Sequence, residues 1–148
     1  MNDTTADREC LHERFIEASP ERVFAAFAAP ERLARWWGPA GFSSSFETFE
    51  FRPGGRWQFV MHGPDGTDYQ NQCIFREIVR AERIVVDHLG DFHHFLLTIT
   101  LTPRDGGTQV RWRQVFDTAE HRDEIRPFVE PANEQNLDRL AAEVRRDA

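Results

Sequence analysis

Two periodicities divide the chain. Between Ser44 and Phe116 apolar residues recur at every second position in short runs, the spacing of strands with one buried face. Toward the C-terminus the spacing changes: Leu137, Leu140, Ala141 and Val144 stand at i, i+3, i+4 and i+7, the stripe of an amphipathic helix. The sharpest alternation lies within Arg52–Gly66, where Trp57, Phe59 and Met61 alternate with Arg56, Gln58 and His62. Pro53-Gly54-Gly55 precedes this strand and Gly63-Pro64-Asp65-Gly66 comes after it, each with the fixed φ of proline and the positive φ open to glycine that a tight reversal needs.

The remaining elements are read from the same signals. Leu11–Ile16 reads as a first strand. Ser19 as N-cap with Pro20 at the first helical position starts a short helix carrying Val23, Phe24 and Phe27. Ala29-Pro30 breaks it, and a second short helix, Glu31–Trp36, ends at Gly38-Pro39-Ala40-Gly41. Strands are predicted at Ser44–Phe51, with Phe46 and Phe49 on opposite faces, around Trp57, and at Thr67–Ile78, Arg83–Leu89, His93–Leu101 and Thr108–Phe116. Thr118 caps a short turn over Ala119–Ile125, Pro127 and Pro131 interrupt the residues beyond that turn, and the long helix begins at Pro131. The class is α+β: an antiparallel meander curled round one long helix. Residues 1–10 read as a flexible tail and 11–148 as one domain.

Composition narrows the function classes. A chain of 148 residues with net charge −7 has no basic stripe for tracking phosphates, since its arginines are scattered among acids. Nucleic-acid binding is not expected, nor is a membrane span or a secretory leader, so the expected compartment is cytoplasmic. Cys10 and Cys73 fit no metal spacing and read as free thiols, with Cys73 a small buried hydrophobe. The six histidines show no H-x-x-x-H pattern, and neighbours such as His93 and His94 point to opposite faces of a strand. No metal and no cofactor is expected.

Five segments in order carry a resemblance: A-S-P-E-R-V-F (Ala18–Phe24), R-W-W-G-P (Arg35–Pro39), R-P-G-G-R-W (Arg52–Trp57), M-H-G-P-D-G (Met61–Gly66) and E-Q-N-L-D-R-L (Glu134–Leu140). They resemble the activator of heat-shock-protein-90 ATPase homologue family, within the START-related, birch-pollen-allergen-like (SRPBCC) superfamily. The resemblance implies a helix-grip fold, in which about seven strands wrap the C-terminal helix and leave a cavity between them. It further implies binding of a small hydrophobic or aromatic molecule without catalysis. Its alternatives are a chaperone-contacting module and a small cyclase or isomerase; a homodimer is a further expectation.

In such a fold the inner wall would come from Trp57, Phe59, Met61, Phe95, Leu97, Val110, Trp112 and Gln114, with Trp36, Trp37 and Phe42 at the mouth and Asn133 on the helix. The competing expectation is that the same side chains interlock and leave no room. Gln114 interrupts the apolar face of its strand, so it either bonds Asn133 or Asn136 or orients a ligand. Asp87 and His88 are adjacent, so one of the two faces inward as the candidate for acid–base chemistry.

Overall fold

The computed structural model describes residues 5–90 and 94–146. A 3-10 turn, Thr5–Arg8, leads into β1 (Glu9–Ile16), then α1 (Pro20–Ala28) and α2 (Pro30–Trp36). Six strands come next: β2 (Ser43–Phe49), β3 (Arg56–His62), β4 (Asp68–Val79), β5 (Arg83–Leu89), β6 (Phe95–Arg104) and β7 (Gly107–Phe116), before α3 (Ala119–Arg146). All pair antiparallel in one seven-stranded sheet of order β1-β7-β6-β5-β4-β3-β2. This is the expected α+β helix-grip architecture, with the meander closed by β1 beside β7. Of the strand predicted at His93–Leu101, His93 lies outside the described residues, and β6 begins at Phe95.

Local chemistry explains the element ends. The Ser19 hydroxyl accepts a hydrogen bond from the Arg22 amide at 3.2 Å, capping α1 ahead of Pro20. In the turn before β3, Gly54 has φ 82°, and a Cβ on Gly55 would stand 1.9 Å from the Glu50 carbonyl oxygen. Only glycine fits there, which lets the Gly54 amide and the Gly55 carbonyl both bond to Phe75 of β4. Asp105 and Gly106, both at positive φ, make the hairpin between β6 and β7.

Two elements differ from the sequence expectation. A bulge between Phe46 and Thr48 inserts one residue into β2 and reverses its phase. Phe46 and Phe49 therefore share the inner face, 5.7 Å apart and stacked, instead of pointing to opposite sides. The second correction concerns the long helix, which starts at Ala119 rather than Pro131 and runs 28 residues, about 42 Å at about 1.5 Å per residue. Thr118 caps it by accepting from the His121 amide at 3.0 Å. Pro127 and Pro131 lie inside the helix and are exposed, so water solvates the carbonyls they leave without amide donors. Ile125 and Val129 pack against the core and hold the first half in line.

That first half is the weaker. Amide hydrogen exchange should run faster over 119–130 than over 132–144, by roughly tenfold or more for each ~1.4 kcal/mol of local stability lost. Uniform protection along the whole helix would contradict the account.

The core is asymmetric. Leu137, Leu140 and Val144 are at most 1% exposed against the sheet. α1 and α2 fill one end of the grip with Phe24, Phe27, Leu33 and Trp36. The other end, under the first half of α3, is not filled.

Candidate functional site

The unfilled end is a cavity of about 460 Å³ between the sheet and α3. Its sheet wall is Phe59 and Met61 of β3, Tyr69 and Asn71 of β4, His88 of β5, Phe95 and Leu97 of β6, and Trp112 and Gln114 of β7. α3 contributes Ile125, Phe128, Val129, Ala132, Asn133 and Asn136, and the loop after α2 contributes Trp37, Gly38, Pro39 and Phe42. At the mouth, Phe42 and Tyr69 approach to 6.1 Å between ring centroids, while Phe128 is 75% exposed, a large apolar ring standing in solvent beside the opening.

Most of the expected wall residues meet here. Trp37, Phe42, Phe59, Met61, Phe95, Leu97, Trp112, Gln114 and Asn133 all border the cavity. Trp36, Trp57 and Val110 do not: they lie in the solid packing at the α1–α2 end, 1%, 1% and 0% exposed. The reason is that strand phase selects a face, whereas the short helices select which half of that face stays uncovered. Trp36 is an anchor there, its indole N–H donating to the Ala26 carbonyl at 2.9 Å while its ring meets Phe27 edge-on. Trp57 stacks on Phe59 at 4.4 Å and supports Trp37 at 4.9 Å. The indole N–H groups of Trp57 and Trp112 are buried and find no acceptor among the described residues.

α3 also fastens the loop that rims the cavity. Arg139 donates to the carbonyls of Arg35, Gly38 and Pro39 at 2.8–3.0 Å. The Asn136 amide accepts from the Gly38 amide at 3.3 Å and donates to the Trp36 carbonyl at 3.1 Å, and the Ala40 amide donates to Gln135 at 3.1 Å. Gly38 itself has φ 108°, and any Cβ there would press on Met61 at 2.9 Å. Below the loop, the Glu143 carboxylate is 4% exposed and receives Arg35 at 2.8 Å, Arg32 at 3.0 Å and Arg146 at 3.0 Å. The hydrogen bond from Arg35, reinforced by those from Arg32 and Arg146 against the cost of burial, holds the Glu143 carboxyl down to about 2.

The polar groups facing the cavity come in pairs. Asn133 donates to Gln114 at 3.0 Å, and both are buried. His88, in phase with Ile84 and Val86, faces inward; its Nε2 lies 2.7 Å from Asn71 Oδ1 and its ring stacks on Phe95 at 4.5 Å. Asp87 takes the outer face, bound to Arg76 at 2.8 Å and to His94 at 2.7 Å. Burial works against its charge, yet the hydrogen bonds from His94 and Arg76 together keep Asp87 below its ordinary value. Asp117 on one ring nitrogen and Asp87 on the other raise His94, with burial opposing.

Two features had no distinct sequence signal. Asn71 and Tyr69 enter the wall because they stand opposite Phe59 and Met61 of β3, beyond the point where β5 stops pairing with β4, and Ile125, Phe128 and Val129 enter because the helix continues through its prolines. On the outer face Ser45 Oγ lies 2.7 Å from His62 Nε2, and His62 Nδ1 lies 2.8 Å from Asp68. Ser45 and Asp68 are exposed, and this chain of hydrogen bonds ties β2, β3 and β4 together at their ends. Burial pushes the thiol of Cys73 well up, leaving it a packing group. Among the described residues no helix is long and apolar enough to cross a membrane.

Solved structures share the fold. A protein from Arthrobacter aurescens superposes with TM-score 0.88 at 22% identity, covering 98% of this chain and 90% of its own. One from Nitrosomonas europaea gives TM-score 0.88 at 19% identity, covering 99% and 100%. One from Chromobacterium violaceum gives 0.78 at 27% identity, covering 93% and 96%. No functionally curated protein matches. The family described as Activator of Hsp90 ATPase homolog 1-like protein matches residues 17–145, from the end of β1 through α3, and the chain belongs to that family.

Proposed function

We propose that the protein binds a small hydrophobic or aromatic molecule in the cavity between sheet and α3, without chemistry of its own. One observation carries this reading: about 460 Å³ of space walled mainly by aromatic and aliphatic side chains and crossed by a few buried amides. Volume and composition match those of ordinary small-molecule pockets, roughly 300–1,000 Å³ with sparse polar groups. The aromatic side chains that were expected either to enclose space or to interlock do both, at opposite ends of the grip. His88, the inward candidate for acid–base work, is engaged by Asn71 and covered on one face by Phe95, an arrangement that suits a fixed hydrogen-bonding group.

The uncharged dye N-phenyl-1-naphthylamine tests the reading. Its fluorescence should rise saturably at one equivalent and quench the emission of Trp37 and Trp112. Ala132→Phe, which places a ring in the cavity from α3, should abolish the effect while leaving the far-UV spectrum unchanged. Equal dye binding by the wild type and Ala132→Phe, or no saturable binding by the wild type, would defeat it.

A further inference from the structure

The chemistry of the cavity wall says what kind of polar group its occupant carries. This step rests on the cavity being a binding site. We propose that the occupant is uncharged and presents a carboxamide-type edge, one carbonyl beside one N–H, to Gln114 and Asn133.

The first argument is the absence of counter-charge. No carboxylate and no guanidinium belongs to the wall among the described residues; His88 and Tyr69 are its ionisable members. Arg139, which reaches this loop, directs both of its terminal nitrogens to the carbonyls of Arg35, Gly38 and Pro39. A fatty-acid carboxylate, a phosphate or an ammonium group placed here would lose its hydration and find no opposite charge. Such a transfer is strongly unfavourable.

The second argument counts hydrogen bonds. Gln114 and Asn133 are 6% and 7% exposed and bond to each other through one N–H and one carbonyl oxygen. Each side-chain amide has one NH2 and one oxygen. Whichever way the two amides are rotated, their mutual bond uses one of each and leaves one of each. In the arrangement described, Gln114 Nε2 and Asn133 Oδ1 have no partner among the described residues. Neither atom is sealed within the packing, and both residues line the cavity. The Asn136 amide, by contrast, is occupied at both ends by Gly38 and Trp36. The wall therefore offers a neighbouring donor and acceptor inside apolar surroundings. A carboxamide or lactam satisfies both at once, and an ester or ether satisfies only the donor.

Competition against N-phenyl-1-naphthylamine at pH 8 with three probes sharing one ring system decides the matter: 2-naphthamide, 2-naphthoate and 2-methylnaphthalene. 2-Naphthamide should bind at least roughly tenfold tighter than 2-naphthoate and measurably tighter than 2-methylnaphthalene. The near-isosteric double variant Gln114→Leu/Asn133→Leu should lose the amide's advantage over 2-methylnaphthalene, and an unchanged far-UV spectrum verifies that the variant folds. If that variant does not fold, the three wild-type affinities still decide. 2-Naphthoate binding as tightly as the amide, or 2-methylnaphthalene binding as tightly, would overturn the proposal and leave the cavity reading standing. Failure of all three to displace a bound dye would overturn this proposal alone, and failure of the dye to bind would overturn both.

Discussion

Trp57→Ala should lower the unfolding free energy by about 3–5 kcal/mol, the range for deleting a fully buried large aromatic side chain. The indole is 1% exposed and touches five aromatic neighbours. It stacks on Phe59 at 4.4 Å and lies parallel to Phe75 at 5.7 Å, while Trp37, Phe46 and Phe49 meet it edge-on at 4.9, 5.5 and 6.1 Å. Few of these rings can move into the space it leaves, because β2 fixes two of them and β3, β4 and the loop after α2 fix one each. Trp57→Phe should behave differently. It removes volume but also removes an N–H that is buried without an acceptor, so its cost should stay under about 1.5 kcal/mol. Urea unfolding monitored by far-UV circular dichroism gives both values. A loss below ~1 kcal/mol for the alanine variant would mean that the aromatic packing behind the cavity is not as described.

Glu143→Gln should produce the second large effect, and its sign depends on pH. The folded-state carboxyl lies at about 2, against an ordinary value of 4.5. A carboxyl depressed by folding stabilises the protein fully above its unfolded value and loses that contribution as pH falls toward the folded one. Arg35 and Arg146 are 45% and 61% exposed, so solvent screens part of the interaction. About 2 kcal/mol is therefore expected to disappear between pH 5 and pH 2 through this group alone. Asp87 and Glu134 are depressed as well and contribute to the total acid sensitivity, so the informative quantity is the difference between proteins. The wild type should exceed Glu143→Gln by about 2 kcal/mol at pH 7, and the gap should close by about pH 2. A constant gap across that range would remove Glu143 from the acid response.

Much of this architecture was legible from the residues. The alternation in β3, β6 and β7 placed Phe59, Phe95, Leu97, Trp112 and Gln114 on the inner face, and the i, i+3, i+4, i+7 stripe placed Leu137, Leu140, Ala141 and Val144 against it. The partnership of Gln114 with Asn133 was also foreseeable, because a buried amide on an apolar strand needs another polar group opposite. What stayed hidden depends on long-range packing. The bulge after Phe46 has no local mark in S-S-S-F-E-T-F, and it alone decides that Phe46 and Phe49 meet. In β5 the pattern admitted two phases, and pairing to β4 and β6 chose the one that turns His88 inward. Whether Trp57 or Met61 borders the cavity depends on where α1 and α2 settle, which no periodicity within β3 records.

The prolines of α3 also bear on how a molecule reaches an interior that is roofed by helix. Behind Pro131 the rod is bolted to α2 and the loop after it through Asn136, Arg139 and Glu143, and to the sheet through Asn133 and Gln114. Ahead of it, Ile125, Phe128 and Val129 form a flap whose junction with the bolted part lacks the amide donors of two residues. Lifting that flap breaks fewer backbone bonds than bending a regular helix would, and it leaves the fastened half in register. On the proposed binding reading, a guest would be exchanged by a local peel between Pro131 and Arg122, whose guanidinium holds the start of α3 to the Glu9 carbonyl, with the grip itself never released.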